Sequence, residues 1–431
     1  MADIESMFHQ IRVTPDDRDV LRFLWFQDDD TRKQALVYHM TSHLFGGVWS
    51  PSCATYALQQ VTKEYEEFPE IVLSTVMHNF YVDDCLKSVH TLEVAVPLVK
   101  QVIQLLSMRG FHLTKFVSNS PELMNSIPEK EWGRSFTSLD INRDELPTER
   151  ALGMLWEIES DCLKVDVQVK NHHKSRRGIL SALSTVYNPL GLVSPFVLSA
   201  RRLFQQLCKQ EKEWDEPLSR DVEEQWGRWL NDLHVIKEFS IPRCIMPNKL
   251  LMKTVQLHHF CDASEYGYGS VAYLRTVYET QQVSVNLLMA KSRLAPLKGS
   301  TIPRLELAAA LEEVRLDTLL QKELQMPLEK SVYWTDSTIV LWYLQTPEKR
   351  FQTYVANRVA KILEHVIPDQ WRYVPTMQNT GDIASRGMTA QELLNEERWC
   401  KGPAFLFLDI SSWPKQPAFD CAKLEDIAEV K

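Results

Sequence analysis

The sequence lacks a C-x-x-C pair. Its eight cysteines, Cys53, Cys85, Cys162, Cys208, Cys244, Cys261, Cys400 and Cys421, lie far apart, which argues against a zinc ribbon and a disulfide framework and predicts reduced, buried thiols. It also lacks an uninterrupted apolar run of membrane-spanning length, and Met1-Ala2-Asp3-Ile4-Glu5 is unlike a signal peptide. A soluble intracellular chain with no membrane partner is the expectation. There is no excess of Gly (14) or Pro (21), and 44% of the residues are hydrophobic, so disorder and collagen-like repetition are ruled out. A basic excess is missing too: the net charge of −9 argues against a protein that coats nucleic acid. No internal repeat stands out. What is present is 431 residues, enough for two or three packed domains.

Periodicity organises the chain. Val99, Val102, Ile103 and Leu106 fall at i, i+3, i+4 and i+7, which predicts a helix over 92–109 that Gly110 stops. Upstream, 78–86 reads as two short strands turning at a pair of aspartates, and Phe111, Leu113 and Lys115 alternate as on an edge strand. From about 171 to 250 the chain is rich in helix formers and tryptophan. There Val222, Trp226, Trp229, Leu230 and Leu233 keep helical spacing behind a Ser219 N-cap. Beyond Leu250 the order is three strands (257–260, 269–274, 283–290), a helix (303–324), a strand (331–335), a helix (354–364) and a strand (370–374), a mixed-sheet α/β unit. Residues after 401 read as a short tail.

Carboxylates carry the chemical signal. Tyr81-Val82-Asp83-Asp84 crowds two of them at a strand turn, where repulsion is costly unless a divalent cation sits between them. A polar turn is the plainer reading, but the apolar flanks Tyr-Val and Cys-Leu are more than a solvated loop needs. Asp3 has a bulky aromatic, Phe8, five residues on. With these motifs the chain resembles a reverse transcriptase palm, and more closely the Pao/BEL class of long-terminal-repeat retrotransposons. The resemblance implies that Asp3, Asp83 and Asp84 hold two magnesium ions and that Phe8 excludes a ribose 2′-hydroxyl. In His43-Leu44-Phe45-Gly46-Gly47-Val48-Trp49-Ser50-Pro51 it makes Gly46, Ser50 and Pro51 template and nucleotide contacts. Gly110-Phe111-His112-Leu113-Thr114-Lys115 resembles the next block, which adds Lys115 to that set.

A second set lies further on: Asp262 in Phe260-Cys261-Asp262-Ala263-Ser264, Glu306 in Pro303-Arg304-Leu305-Glu306-Leu307, Asp336 in Tyr333-Trp334-Thr335-Asp336-Ser337, and Asp382 in Thr380-Gly381-Asp382. Singly, Glu306 could be a solvated helix residue, Asp336 a helix cap, and Asp262 and Asp382 turn residues. Together, in this order on these elements, they resemble ribonuclease H. The resemblance implies two Mg²⁺ per site, with Mn²⁺ as a substitute, and water activated against the RNA strand of an RNA·DNA hybrid. No histidine lies close before Asp382; His365 is the nearest upstream, which predicts slow product release.

The expected architecture is therefore an α/β (α+β) chain: a reverse transcriptase palm at 1–170, a helical thumb or connection region at 171–250, a ribonuclease H-like domain at 251–400, and a tail at 401–431 leading toward an integrase. The chain starts two residues before Asp3, so the fingers are expected to be missing and polymerisation by this chain alone is not expected. Expected partners are an RNA–DNA hybrid, an RNA template and a DNA primer, with phosphates met by Lys174, Arg176, Arg177, Arg201 and Arg202. The expected location is cytoplasmic, free or in a virus-like particle, with the nucleus as the alternative. Two other classes compete. One is a catalytically idle or domesticated nucleic-acid-binding protein. The other is an aspartic peptidase, against which Asp336-Ser337-Thr338 lacks the required glycine.

Overall fold

A computed structural model of the chain describes residues 1–137, 139, 144–168, 173–246, 251–418 and 429. Cys421 and the borders expected at 170–171 and at 250 lie outside the described residues. The chain divides into two compact units, Met1–Leu152 with Glu157–Asp161, and Gly153–Trp156 with Cys162–Lys431.

In the first unit, β1 (Ala2–Ile4) leads to an isolated hairpin, β2 (Arg22–Phe26) with β3 (Ala35–His39). Helices α1 (Ser50–Glu64) and α2 (Glu70–His78) follow, then β4 (Phe80–Tyr81), β5 (Asp84–Cys85), α3 (Leu92–Ser107), β6 (Leu113–Thr114) and the short α4 (Pro121–Asn125). A small antiparallel sheet of order β4-β5-β1-β6 puts β1 in an inner position and β6 at an edge, as the alternation at 111–115 predicts. Helix α3 ends where expected, with Gly110 at a φ of +80° that a side chain would resist. Its buried stripe is Ala95, Leu98, Val102, Leu105 and Leu106. Val99 and Ile103 are only half-buried, so the face is rotated slightly from the predicted one. Strands β7 (Thr148–Ala151) and β8 (Met154–Glu157) fall at the border of the units.

The second unit joins β9 (Cys162–Lys164) to β10 (Ser240–Pro242) around three helices, α5 (Arg176–Leu183), α6 (Ser194–Lys209) and α7 (Arg220–Val235). Trp226, Trp229 and Leu233 form the buried stripe of α7; Ser219 sits at its N-cap position, but its hydroxyl makes no capping bond. Then come β11 (Met252–Ala263), β12 (Gly267–Tyr278), β13 (Val283–Leu294), α8 (Ile302–Glu323), β14 (Glu329–Thr335), α9 (Thr338–Gln345), α10 (Thr353–Leu363), β15 (Trp371–Tyr373), α11 (Thr380–Arg386), α12 (Ala390–Asn395) and α13 (Glu397–Lys401). The sheet order is β13-β12-β11-β14-β15. Its first three strands are antiparallel, and β14 and β15 join in parallel.

Strands β11, β12 and β13 are each twelve residues long, well beyond the four- to eight-residue runs that alternation predicts. Both sheet faces are covered, so polar and apolar residues alike are hidden from Leu257 to Ala263 and the period of two is lost from the sequence. Phe260 and Trp334 point into a core shared with Phe196, Trp226 and Trp229. Their neighbours Cys261 and Tyr333 point into the opposite core, with Leu307, Val314, Trp342 and Val355. Of the tail expected after 401, residues 402–418 are packed on the second unit. Phe405, Leu406 and Trp413 are buried in the first of these cores, and Arg275 donates to the Leu406 carbonyl (2.6 Å) and the Leu408 carbonyl (3.1 Å). The cysteine expectation holds only in part: Cys85 and Cys261 are buried, while Cys53, Cys162, Cys208, Cys244 and Cys400 are half-buried, all seven without a disulfide.

Candidate active sites

In the first unit β1 lies directly against β5, with Asp3 opposite Asp84. The turn between β4 and β5 is Val82-Asp83 rather than the aspartate pair, because Asp84 is already in the strand. Val82 has φ +56°, a left-handed conformation that a β-branched residue adopts only under strain. The Ile4 amide donates to the Asp83 carbonyl at 2.9 Å and fixes the turn over β1. Lys115 pairs with Asp3 at 3.1 Å. Burial, then the charges of Asp83 and Asp3, push the Asp84 carboxyl up, and Lys115 offsets part of this. Of the expected nucleotide contacts, the structure brings Lys115 to the aspartates. Phe8, Gly46, Ser50 and Pro51 lie at or beside the start of α1. Phe8 is buried and meets Phe45 edge-on at 4.9 Å, Gly46 has φ +90°, and Ser50 and Pro51 are the first two residues of the helix.

In the second unit Asp262 lies near the end of β11, Glu306 in the second turn of α8, Asp336 just past β14, and Asp382 in the first turn of α11. Each is met by a side chain that motif reading passes over. Ser385 donates to Asp262 (2.7 Å), Ser337 to Glu306 (2.5 Å), and Thr376 (2.6 Å) and Asn379 (3.0 Å) to the two oxygens of Asp336. Arg386 pairs with Asp382 one turn on in the same helix. Asn379 also donates to the Cys261 carbonyl (3.0 Å), tying Asp336 to the strand that carries Asp262. The helix-cap reading of Asp336 is corrected: Ser337 caps α9, its hydroxyl accepting from the Val340 amide. Nor is Asp382 a turn residue.

Two glycines let α11 sit on the sheet. A Cβ on Gly381 would lie 2.6 Å from the Cys261 carbonyl carbon and 2.8 Å from the Asp262 amide nitrogen, and one on Gly269, opposite Asp262, would lie 2.5 Å from the Ala384 Cβ. The contact is backbone to backbone, so Asp382 is carried to β11 by the absence of side chains.

The electrostatics follow. Burial first, then the charge of Asp336, raise Asp262 to about 7, with a smaller push from Asp382 and relief from the Ser385 hydroxyl. Burial raises Glu306 to about 7 as well; Ser337 opposes this and Asp336 adds to it. Behind them Glu313, wholly buried on α8, has its carboxyl pushed well up by burial, beside the Cys261 thiol. Among the described residues, no three His, Cys, Asp or Glu side chains stand together in a metal-holding arrangement. The donors are hard carboxylate oxygens whose mutual repulsion a divalent cation would relieve, so in chemistry they fit magnesium.

The five basic residues expected to meet phosphates are engaged within the fold. Lys174 pairs with Glu223 and Arg177 with Asp215. Arg176 lies 4.0 Å from the Trp214 ring centroid, Arg201 donates to the Ser292 carbonyl, and Arg202 stacks on Tyr266 at 3.2 Å. Among the described residues no helix is long and apolar enough to cross a membrane.

Comparison with known proteins places this geometry. Residues 175–337 match the Pao retrotransposon-like RNaseH-like domain, a stretch that holds Asp262, Glu306 and Asp336 and stops before Asp382. No curated protein matches the chain. Among solved structures, a foamy viral protease-reverse transcriptase (dRH) in complex with double-stranded DNA is similar in fold. The TM-score is 0.51 at 13% identity, over 86% of this chain and 56% of that one, so the chain spans little more than half that protein's length. The N-terminal RNase H domain of a Mycobacterium tuberculosis protein, fused to maltose-binding protein, aligns with TM-score 0.24 and 13% identity over 33% of this chain and 98% of that one, too weakly to carry an argument. Residues 175–337 thus match the Pao retrotransposon-like RNaseH-like domain, in a chain whose mixed helix-and-sheet fold is similar to that of a viral reverse transcriptase.

Proposed function

We propose that the chain is a retroelement Pol segment whose second unit hydrolyses the RNA strand of an RNA·DNA hybrid, with Asp262, Glu306, Asp336 and Asp382 as catalytic carboxylates and magnesium ligands. The observation that carries this reading is that Asp336, just past the end of β14, acts electrostatically on both Asp262 and Glu306, which rise to about 7. Such displacement marks functional carboxylates more often than structural ones. Bound divalent cations would supply a lowered pKa for the attacking water and neutralisation of the leaving oxygen. The protein's part is positioning. Ser385 and Ser337 fix one oxygen each of Asp262 and Glu306, Thr376 and Asn379 hold both oxygens of Asp336, and Arg386 pairs with Asp382. In the first unit, Asp3, Asp83 and Asp84 are proposed as the corresponding site for RNA-directed DNA synthesis, with Lys115 as their counter-charge.

The test is a labelled RNA·DNA hybrid with Mg²⁺. The RNA strand should be cut, and Asp262→Asn or Asp336→Asn should abolish cutting; equal cleavage by wild type and variants would overturn the reading. A second reading, a nucleic-acid-binding module without turnover, is favoured by one observation: all four carboxylates already have protein partners. Hybrid binding without cleavage in Mg²⁺ or Mn²⁺ would select it. Primer extension on an RNA template tests the first unit, and any extension should be abolished by Asp83→Asn.

A further inference from the structure

Arg304 lies in the first turn of α8, two residues before Glu306. Its guanidinium takes the Glu429 carboxylate in a fork, Nη2 to Oε2 at 2.7 Å and Nε to the other oxygen. The Glu429 backbone is held as well. Its carbonyl accepts from the Gln352 amide at 2.8 Å, and its N–H donates to the Tyr343 hydroxyl at 3.4 Å. Beside this pair α10 presents the Tyr354 ring, with Arg304 4.9 Å and Arg358 3.4 Å from its centroid. The Tyr354 hydroxyl donates to the Arg304 carbonyl at 3.3 Å. Arg358 gives one terminal nitrogen to the Tyr354 carbonyl at 3.2 Å, while its buried Nε has no hydrogen-bond acceptor among the described residues.

Two guanidinium groups on one aromatic ring make an anion receptor. One holds a carboxylate, and the other has a donor to spare. An arginine fork accepts carboxylate and phosphate with the same paired geometry, and stacking on a ring favours the weakly hydrated guanidinium. The receptor is also close to the carboxylate of the proposed site, since Tyr343, which touches Glu429, lies within electrostatic reach of both Glu306 and Arg304.

We propose that Arg304, Tyr354 and Arg358 form a subsite for a backbone phosphate of the nucleic acid presented to Glu306, and that Glu429 fills this subsite as an internal competitor. The identity of the ligand rests on the ribonuclease reading; the competition does not require turnover.

The experiment is therefore binding of a fluorescent RNA·DNA hybrid to the full chain in EDTA, followed by anisotropy. Glu429→Gln should tighten binding about two- to fivefold, the range expected when one half-buried ion pair is released. Glu429→Asp, too short to span the fork but still charged, should tighten it as well. Arg304→Gln should weaken binding and remove the effect of Glu429→Gln, and in the Glu429→Gln background it should lower the salt slope by about one. Unchanged affinity in both Glu429 variants overturns the proposal. So does tightening that persists with Arg304→Gln, which would report only the loss of a diffuse charge. If inorganic phosphate binds the Glu429→Gln protein while hybrid affinity stays as in wild type, the receptor serves free phosphate and the proposal falls. Failure of the ribonuclease reading is seen separately, as an uncut hybrid when Mg²⁺ is supplied.

Discussion

Replacing Asp262 by asparagine should stabilise the metal-free protein at alkaline pH while abolishing its chemistry. Asp262 is 6% exposed, and burial together with the charge of Asp336 raises its carboxyl from the ordinary 3.8 to about 7. Between those values the folded chain keeps a proton that the unfolded chain has released. Native stability therefore falls as pH rises through the window, and the loss is complete above about 7. A displacement of that size corresponds to about 4 kcal/mol once the group is ionised. Because part of the displacement is repulsion from Asp336 rather than a property of Asp262 alone, roughly half, about 2 kcal/mol, is assigned to this substitution. Asp262→Asn keeps the shape and an acceptor for Ser385, so it should be near neutral at pH 5. At pH 8.5 in EDTA it should raise the melting temperature by roughly 4–8 °C. Thermal melts of wild type and variant at pH 5, 7 and 8.5 measure this, and parallel curves across the range would refute the electrostatic argument. Magnesium at pH 8.5 should raise the wild-type melting temperature more than that of the variant, since a ligand stabilises only the state it binds.

Three further outcomes follow from the geometry. Ser337→Ala removes both the cap of α9 and the donor to Glu306, so it should cost about 1 kcal/mol of stability and move the acid limb of the cleavage profile to higher pH; a profile that stays in place would show that Ser337 only caps. Gly381→Ala puts a Cβ into the backbone of Cys261 and Asp262 and should cost about 1–3 kcal/mol with loss of cleavage, and a variant that melts and cuts like wild type would disprove the close seating of α11. Val82→Gly relieves a left-handed valine and should stabilise the first unit by about 1 kcal/mol, read by urea denaturation; a destabilised variant would mean that the side chain contributes more than the strain removes.

Legibility from sequence varied with the kind of order involved. Elements with a single buried face were plain: α7 announces itself through Trp226, Trp229 and Leu233, and α3 through its apolar stripe and Gly110. The long strands were read short because β11 hides His258, His259 and Asp262 as thoroughly as Phe260, leaving no alternation to see. The acidic residues were visible through the motifs around them. Their partners were not, because Ser337, Asn379 and Ser385 are ordinary polar residues whose role depends on which strand end they reach. The same holds for Gly269 and Gly381, whose purpose exists only when α11 lies on β11. Net charge carried little information about partners, because part of the acidic excess is the carboxylates of the two candidate sites themselves.

The segment that carries Phe405 and Trp413 has a consequence in time. Phe405 packs against Phe260 and Trp334, and Arg275 bonds to the carbonyl of Leu406, 131 residues later in the chain. At about 5–20 residues per second, synthesis of that interval takes roughly 7–26 s. Until it ends, the part of the aromatic face around Phe260 and Trp334 that Phe405 and Trp413 cover stays open, although Phe196, Trp226 and Trp229 from the preceding helices already pack on the same core. The nascent chain thus passes through a period in which this part of its aromatic core is open, and self-association during synthesis competes with the arrival of Phe405 and Trp413.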